Sequence, residues 1–309
     1  MTSPIPYQAG ARVGIIGIGS MGAGMARCLL AKGFPLQVFA RRPEAAQTFV
    51  DAGAHMAASP AELARGCGIV ILSLPDAAAV EQVLFASDGL AAALQAGNCV
   101  IDTSTIAATP AREFAERLRQ RGAWLLDAPV SGGQPGAEAG TLGCMVGGPA
   151  AALAACRQVM EAFCKTITHV GESGAGQTVK ACNQVAVAGA LMGVADAIAL
   201  AKAQGLDPAL MREVLMGGTA KSFPLERHAP RIIGNSFTPG FRARLMRKDL
   251  RLALDTARAV GATLPTATVA EQLLDAMCES GRADWDWCAV ALEVQRLSGM
   301  DIPDTPEPS

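Results

Sequence analysis

The sequence predicts an α/β doubly wound domain over residues 1–174, an all-helical domain over 175–300, and a disordered tail over 301–309. Three observations carry this reading. Apolar runs of strand length alternate with helical stretches through the first half, a glycine-rich turn follows the first of those runs, and beyond about Gly174 the periodicity is helical throughout. A chain of 309 residues is about twice a typical domain, so two domains are expected. Hydrophobic residues make up 50% and charged residues 17%, which excludes a disordered, charge-dominated chain. A net charge of −2 argues against nucleic-acid partners held by bulk electrostatics and against a polybasic membrane anchor.

Taken in order, residues 13–17 form a short apolar run that leads into glycines, and a helical pattern follows over 22–31. A second strand is expected at 36–39 and a helix at 43–52. Residues 69–74 are an apolar run, but for Ser73, ending at Pro75, the pattern of a strand buried on both faces. Strands follow at 98–102, 124–127 and 144–147, with a charged amphipathic helix over 111–121. Strands alternating with helices imply right-handed crossovers. In the second half, helices are expected over 177–204, 208–216, 245–260, 267–280 and 285–297, the first joining the two domains. Pro303, Pro306 and Pro308 predict the disordered end.

Residues 181–201 are nearly all apolar and contain a GxxxG at Gly189 and Gly193. Lys180, Asn183, Gln184 and Asp196 interrupt the run at spacings that would place charge or amide groups in lipid. An internal helix is expected, and no membrane association. The N-terminus carries no basic region ahead of an apolar one, so no signal peptide is expected. Nine cysteines without a CxxC pair read as small buried hydrophobes in a reducing compartment, and the cytoplasm is the expected location. His55, His169 and His228 form no HxxxH or HExxH pattern, so no protein-built metal site is expected.

Gly17, Ile18, Gly19, Ser20, Met21 and Gly22 spell GxGxxG after a strand and at the opening of a helix. Gly17 suits the tight turn, Gly19 lets backbone approach a pyrophosphate, and Gly22 permits close helix–strand packing. The helix N-terminus offers free N–H groups and partial positive charge to phosphates. The expected ligand is a dinucleotide on a Rossmann-type domain. An NAD site usually places a carboxylate at the end of the second strand. Here that position reads Ala40-Arg41-Arg42, with no carboxylate before Glu44. Two guanidiniums suit a 2′-phosphate through bidentate, charge-assisted bonds, so NADP is expected over NAD; a solvated arginine pair is the other reading.

Asp127-Ala-Pro-Val-Ser-Gly-Gly133 ends a strand in a hydroxyl and unobstructed N–H groups beyond the carboxyl edge of the sheet, where ligands of such sheets bind. Ser131, Gly132 and Gly133 form a loop suited to a small carboxylate, or a purely structural turn. Lys180 and Asn183 lie at i and i+3 on one helix face. Either Lys180 snorkels to solvent, or it projects between the domains beside a bound nicotinamide. There its ammonium would stabilise a developing alkoxide and donate the proton, with Asn183 bonding the substrate.

Four ordered motifs together resemble the β-hydroxyacid dehydrogenase family. They are Gly17 to Gly22, Asp127 to Gly133, the Gly174-Ala-Gly-Gln-Thr-Val-Lys180-Ala-Cys-Asn183-Gln184 segment, and Lys248-Asp249-Leu250, and the similarity runs from about Arg12 to Leu297. The family includes 3-hydroxyisobutyrate dehydrogenases and tartronate semialdehyde reductases. The resemblance implies a helical second domain that mediates oligomerisation, so a homodimer or homotetramer is expected. It also implies Lys180 as catalytic residue, with Ser131, Gly132, Gly133 and Asn183 on the substrate. Thr105 and Lys248 would touch the cofactor, and Leu74 and Pro75 would line the dinucleotide groove. Asn183-Gln184 and Pro239-Gly-Phe-Arg242 are most similar to the tartronate semialdehyde reductases, whereas many 3-hydroxyisobutyrate enzymes carry two asparagines at the first pair. The expected reaction is NADP(H)-linked interconversion of a short β-hydroxy acid and its semialdehyde, with 2-hydroxy-3-oxopropionate and glycerate as the first pair. 3-Hydroxyisobutyrate or another β-hydroxy acid is the alternative, and a dinucleotide-binding sensor without catalysis is the reading from a different class. Arg244 and Arg247, just before Lys248, either favour an anionic ligand or form a solvated face.

Overall fold

The structure, a computed structural model, describes residues 3–303. The chain divides into two units between Lys180 and Ala181. This lies past the boundary expected at 174/175, because the start of the joining helix is hydrogen-bonded into the first unit. The disordered tail expected over 301–309 falls largely on residues 304–309, which lie outside the described residues.

The first unit runs β1 (Val13–Ile16), α1 (Ser20–Ala31), β2 (Leu36–Phe39), α2 (Gln47–Asp51), β3 (His55–Met56), α3 (Pro60–Gly66), β4 (Ile69–Leu72), α4 (Ala77–Phe85) and β5 (Cys99–Asp102). It continues through α5 (Ala108–Arg119), β6 (Trp124–Asp127), β7 (Val130–Ser131), α6 (Gly133–Ala139), β8 (Leu142–Gly147), α7 (Ala150–Met160) and β9 (Cys164–Gly171), and enters α8 (Ala175–Ala203). The sheet order is β3-β2-β1-β4-β5-β6-β8-β7, with β9 on β8. Val13 pairs with Leu36 on one side and Ile69 on the other, and pairing stays parallel from β3 to β6.

Successive strand residues point to opposite faces, and this sheet is buried on both. Val13, Ile15 and Val38 pack with Met25 and Leu29 of α1 on one side. Ile16, Val70, Leu72 and Val100 pack with Leu63, Leu84 and Phe114 on the other. That double burial explains why these strands read as continuous apolar runs. Within this doubly wound sheet, β8 runs antiparallel to β6 and β7. Locally, the helix expected over 43–52 opens as a 3₁₀ turn, Pro43–Ala46, and the strand expected to reach residue 74 stops at Leu72.

The second unit holds the rest of α8, then α9 (Pro208–Met216), α10 (Phe223–Arg227), α11 (Ala229–Ile233), α12 (Ala243–Ala259), α13 (Pro265–Met277) and α14 (Ala291–Leu297). Among its described residues there is no strand, only an isolated bridge between Arg242 and Asp286. In α12 the buried Met246, Leu250, Ala253, Leu254 and Ala257 recur at helical spacing as one stripe, of which Met246, Leu250 and Leu254 pack among Leu191, Ile198, Leu225, Ile232, Leu274 and Trp287. Helix α8 is long and apolar enough to cross a membrane by length and composition, but half of its most apolar stretch is buried within the protein, as in a core helix.

One grouping was invisible in the spacing. His228, Asp286 and Cys288 bring their potential ligand atoms within 4.8 Å of one another. Asp286 already accepts from the backbone N–H of Gly240 (2.9 Å), Phe241 (3.1 Å) and Cys288 (3.1 Å), and pairs with Arg231 at 3.0 Å. Its role is to tie the 240–241 turn to the 286–288 segment. Of the two arginines before Lys248, Arg244 is exposed and pairs with Asp284 (3.1 Å), whereas Arg247 is half-buried and pairs with Asp275 (3.0 Å).

Candidate active site

The site begins with the turn after β1. Gly17 has φ +97°, and a Cβ there would overlap the Ser73 carbonyl oxygen. A Cβ on Gly22 would overlap the Gly17 carbonyl oxygen, whereas Gly19 faces open space. The turn is therefore pressed against the end of β4 on one side and open on the other. Gly19 occupies the N-cap position of α1, no side chain caps that helix, and its first turn holds no acidic residue. Exposed N–H groups and uncompensated partial charge at a helix start favour an anion. Gly19 and Ser20 are exposed, Ile18 and Met21 half-buried. This loop fits a dinucleotide pyrophosphate.

The neighbouring strand ends converge on the same edge. Sheet order reverses between β1 and β4, the switch point where ligands of open α/β sheets bind. Leu74 and Pro75 follow β4, and the Leu74 N–H donates to Ser104 Oγ at 2.9 Å. Thr105 follows β5 and is half-buried. A side chain far along the sequence sets its backbone: Gln177 Nε2 donates to the Ser104 carbonyl at 2.8 Å, and Gln177 Oε1 accepts from the Ile106 N–H at 3.1 Å. Arg41 and Arg42 lie just beyond β2, both exposed. Among the described residues, no carboxylate pairs with either.

Ser131 ends β7, paired with Gly143 of β8. Gly132 and Gly133, at φ +131° and +63°, turn the chain into α6. Gly132 and Ser131 are exposed and half-buried, respectively.

Lys180 is only 7% exposed, which removes the reading in which it snorkels to solvent. Its helix is hung from the sheet by Asp127, at the end of β6. Asp127 Oδ1 accepts from the Gly174 N–H at 2.7 Å and Oδ2 from the Gln177 N–H at 3.0 Å. Burial raises this carboxyl above its ordinary pKa, while the Gly174 and Gln177 donors pull it down. Asp127→Asn would turn an amide N–H toward one of those donors. We expect it to cost about 1–3 kcal/mol of stability, read as a lower urea midpoint, with turnover reduced because Lys180 rides on the displaced helix.

Three residues beyond Lys180, on the same continuous helix, Asn183 is half-buried and its Nδ2 donates to Gln184 Oε1 at 2.8 Å. Gln184 Nε2 donates to Asp249 Oδ2 at 2.7 Å, and Lys248 Nζ lies 3.2 Å from Asp249 Oδ1. Sequence reasoning missed Asp127, Gln177 and Asp249 as parts of the site. Each is a polar residue nearly closed to solvent whose partners are fixed only by folding.

Residues 12–171 match the family model described as the NAD binding domain of 6-phosphogluconate dehydrogenase, and residues 174–293 the one described as NAD-binding of NADP-dependent 3-hydroxyisobutyrate dehydrogenase. The class is therefore that of the NAD(P)-binding oxidoreductases. The chain is 37% identical to the 2-hydroxy-3-oxopropionate reductase of Escherichia coli K12, over 94% of this chain and 99% of the relative. It is 40% identical to a 3-hydroxyisobutyrate dehydrogenase of Pseudomonas aeruginosa, over 84% of this chain and 90% of that one. The solved structure of Mycobacterium tuberculosis 3-hydroxyisobutyrate dehydrogenase with L-serine superposes with a TM-score of 0.85 at 34% identity, covering 92% of this chain and 99% of that chain. The chain belongs to the β-hydroxyacid dehydrogenase family.

Proposed function

We propose that this protein is an NADP(H)-preferring oxidoreductase that interconverts 2-hydroxy-3-oxopropionate and glycerate. The observation that carries the chemistry is the pairing on α8 of a buried Lys180 with Asn183 one turn on. Gly17 to Gly22 would hold the pyrophosphate, with Leu74, Pro75, Thr105 and Lys248 along the rest of the cofactor. Arg41 and Arg42 would meet a 2′-phosphate, and the missing carboxylate after β2 supports NADP over NAD. When bound, the nicotinamide supplies or accepts a hydride. Ser131, Gly132, Gly133 and Asn183 hold the substrate and its carboxylate. In the reducing direction the Lys180 ammonium donates a proton to the oxygen that becomes a hydroxyl; in the oxidising direction the neutral amine takes that proton back.

Gln184 beside Asn183, and the E. coli relative matched over nearly its whole length, favour the glycerate pair. The Pseudomonas relative at 40% identity supports 3-hydroxyisobutyrate as the second reading. The two substrates differ by small groups worth about 1–3 kcal/mol in a pocket, so turnover must decide. The test is a spectrophotometric screen of NADPH and NADH oxidation with three- and four-carbon semialdehydes. The highest kcat/KM should belong to NADPH with 2-hydroxy-3-oxopropionate. Binding of the cofactor with turnover on none of them would instead support a sensor. The exposed Leu200, Leu206, Leu210 and Val214 of the second unit support a homodimer or homotetramer, and the free thiols support a cytoplasmic setting.

A further inference from the structure

Asp249 is 3% exposed and Gln184 4%, and between them they leave little freedom in how the neighbouring groups are oriented. A carboxylate is an acceptor only. Its Oδ2 therefore obliges the Gln184 amide to present Nε2, which donates at 2.7 Å and also meets Met246 Sδ at 3.5 Å. Once Nε2 faces Asp249, Oε1 must face the other way, and there it accepts from Asn183 Nδ2 at 2.8 Å. The Asn183 amide is thereby fixed in one of its two flips, with one N–H spent on Gln184. The other carboxylate oxygen of Asp249 holds the Lys248 ammonium at 3.2 Å.

We propose that Gln184 and Asp249 are positioning residues: the buried carboxylate, read through the Gln184 amide, decides which edge of Asn183 is offered to the substrate, while its second oxygen holds Lys248. The inference rests on the reading of Asn183 as a substrate contact. It does not require that Gln184 or Asp249 touch any ligand. It gives a chemical reason for glutamine at 184. An asparagine, one methylene shorter, would not span both Asn183 and Asp249 from the same backbone position.

The test compares Asn183→Ala, Gln184→Met and Gln184→Glu with the unaltered protein, using glycerate, or the acid selected by the screen, and NADP. Gln184→Met keeps the bulk and loses both polar contacts. It should raise the KM for the acid about tenfold, the factor that corresponds to about 1.4 kcal/mol, with a smaller change in kcat; the thermal midpoint should fall as well, because the buried Asp249 loses a donor. Gln184→Glu carries the decisive signature. When ionised, its side chain accepts from Asn183 but faces Asp249 with a second carboxylate; when protonated, it can donate to Asp249 and accept from Asn183, as the amide does. Its KM should therefore fall back toward that of the unaltered protein as pH is lowered from about 8.5 to 5.5, relative to the unaltered protein measured at each pH. A merely structural glutamine would show no such recovery.

If Asn183→Ala raises the KM and Gln184→Met does not, the positioning proposal fails and the functional reading survives. If Asn183→Ala leaves the KM unchanged, both fail. If Gln184→Met does not fold, the two-pH comparison within one Gln184→Glu preparation decides alone, and a KM deficit that ignores pH overturns the proposal.

Discussion

Lys180→Ala should lower kcat by about two to four orders of magnitude, the range that a positioned proton donor contributes. The loss should appear in both directions, since the same amine gives the proton in reduction and takes it in oxidation. The dissociation constant for NADPH, followed by fluorescence titration, should stay within about twofold, because the dinucleotide loop at Gly17 to Gly22 is held by β1, β4 and α1 rather than by α8. Lys180→Arg should not restore oxidation: a guanidinium keeps its proton at any working pH and cannot accept another. Turnover of Lys180→Ala within tenfold of normal would leave the reaction without its proposed proton carrier.

The second large effect concerns the cofactor. Replacing Arg41 and Arg42 together by alanine should raise the KM for NADPH by about 10- to 150-fold, the loss of about 1.5–3 kcal/mol for bonds to a charged group. The KM for NADH should move by less than about threefold, because NADH carries no phosphate at that position. Both arginines are exposed after β2, so the folded protein should lose no measurable stability. Equal shifts for the two cofactors, or none for either, would place these side chains away from the ribose.

The parts of the fold that were legible are those where local chemistry leaves one choice. β2 and β6 have the limits expected from their apolar runs, and α9 those expected from its periodicity and from Pro208 at its start. Less legible were elements without an apolar signature. β9 carries Lys165, Thr166, Thr168 and His169 on exposed or half-buried positions, so it lacks the run that announced the central strands. α10 and α11 are five residues each, started by Pro224 and Pro230, too short for a helical period to register. The helix expected to reach residue 280 ends at Met277, because the chain turns through Cys278–Arg282 with Gly281 at φ +85°.

At the site the same distinction holds. Glycines at 17, 19 and 22 carry their meaning in their spacing, so the loop could be read directly. The arginine pair stands at the spacing from that loop where a ribose partner falls, which is the ground of the NADP proposal. Asp127 was visible only as the first letter of a motif, since its partners at Gly174 and Gln177 lie 47 and 50 residues away. Gln184 and Asp249 meet across 65 residues. Nothing in a linear pattern announces that a buried amide will be orientated by a distant carboxylate.

The suspension of α8 from Asp127 has a consequence for redesign. The loop of Ser131, Gly132 and Gly133 is carried by the β7–β8 pairing and by α6, whereas the amine at 180 is carried by the end of β6. On the proposed function, acid recognition and proton delivery would rest on two strands, β7 and β6, that share β8 as a neighbour. A library confined to positions 131–133 should then retune which molecule is accepted without touching Asp127.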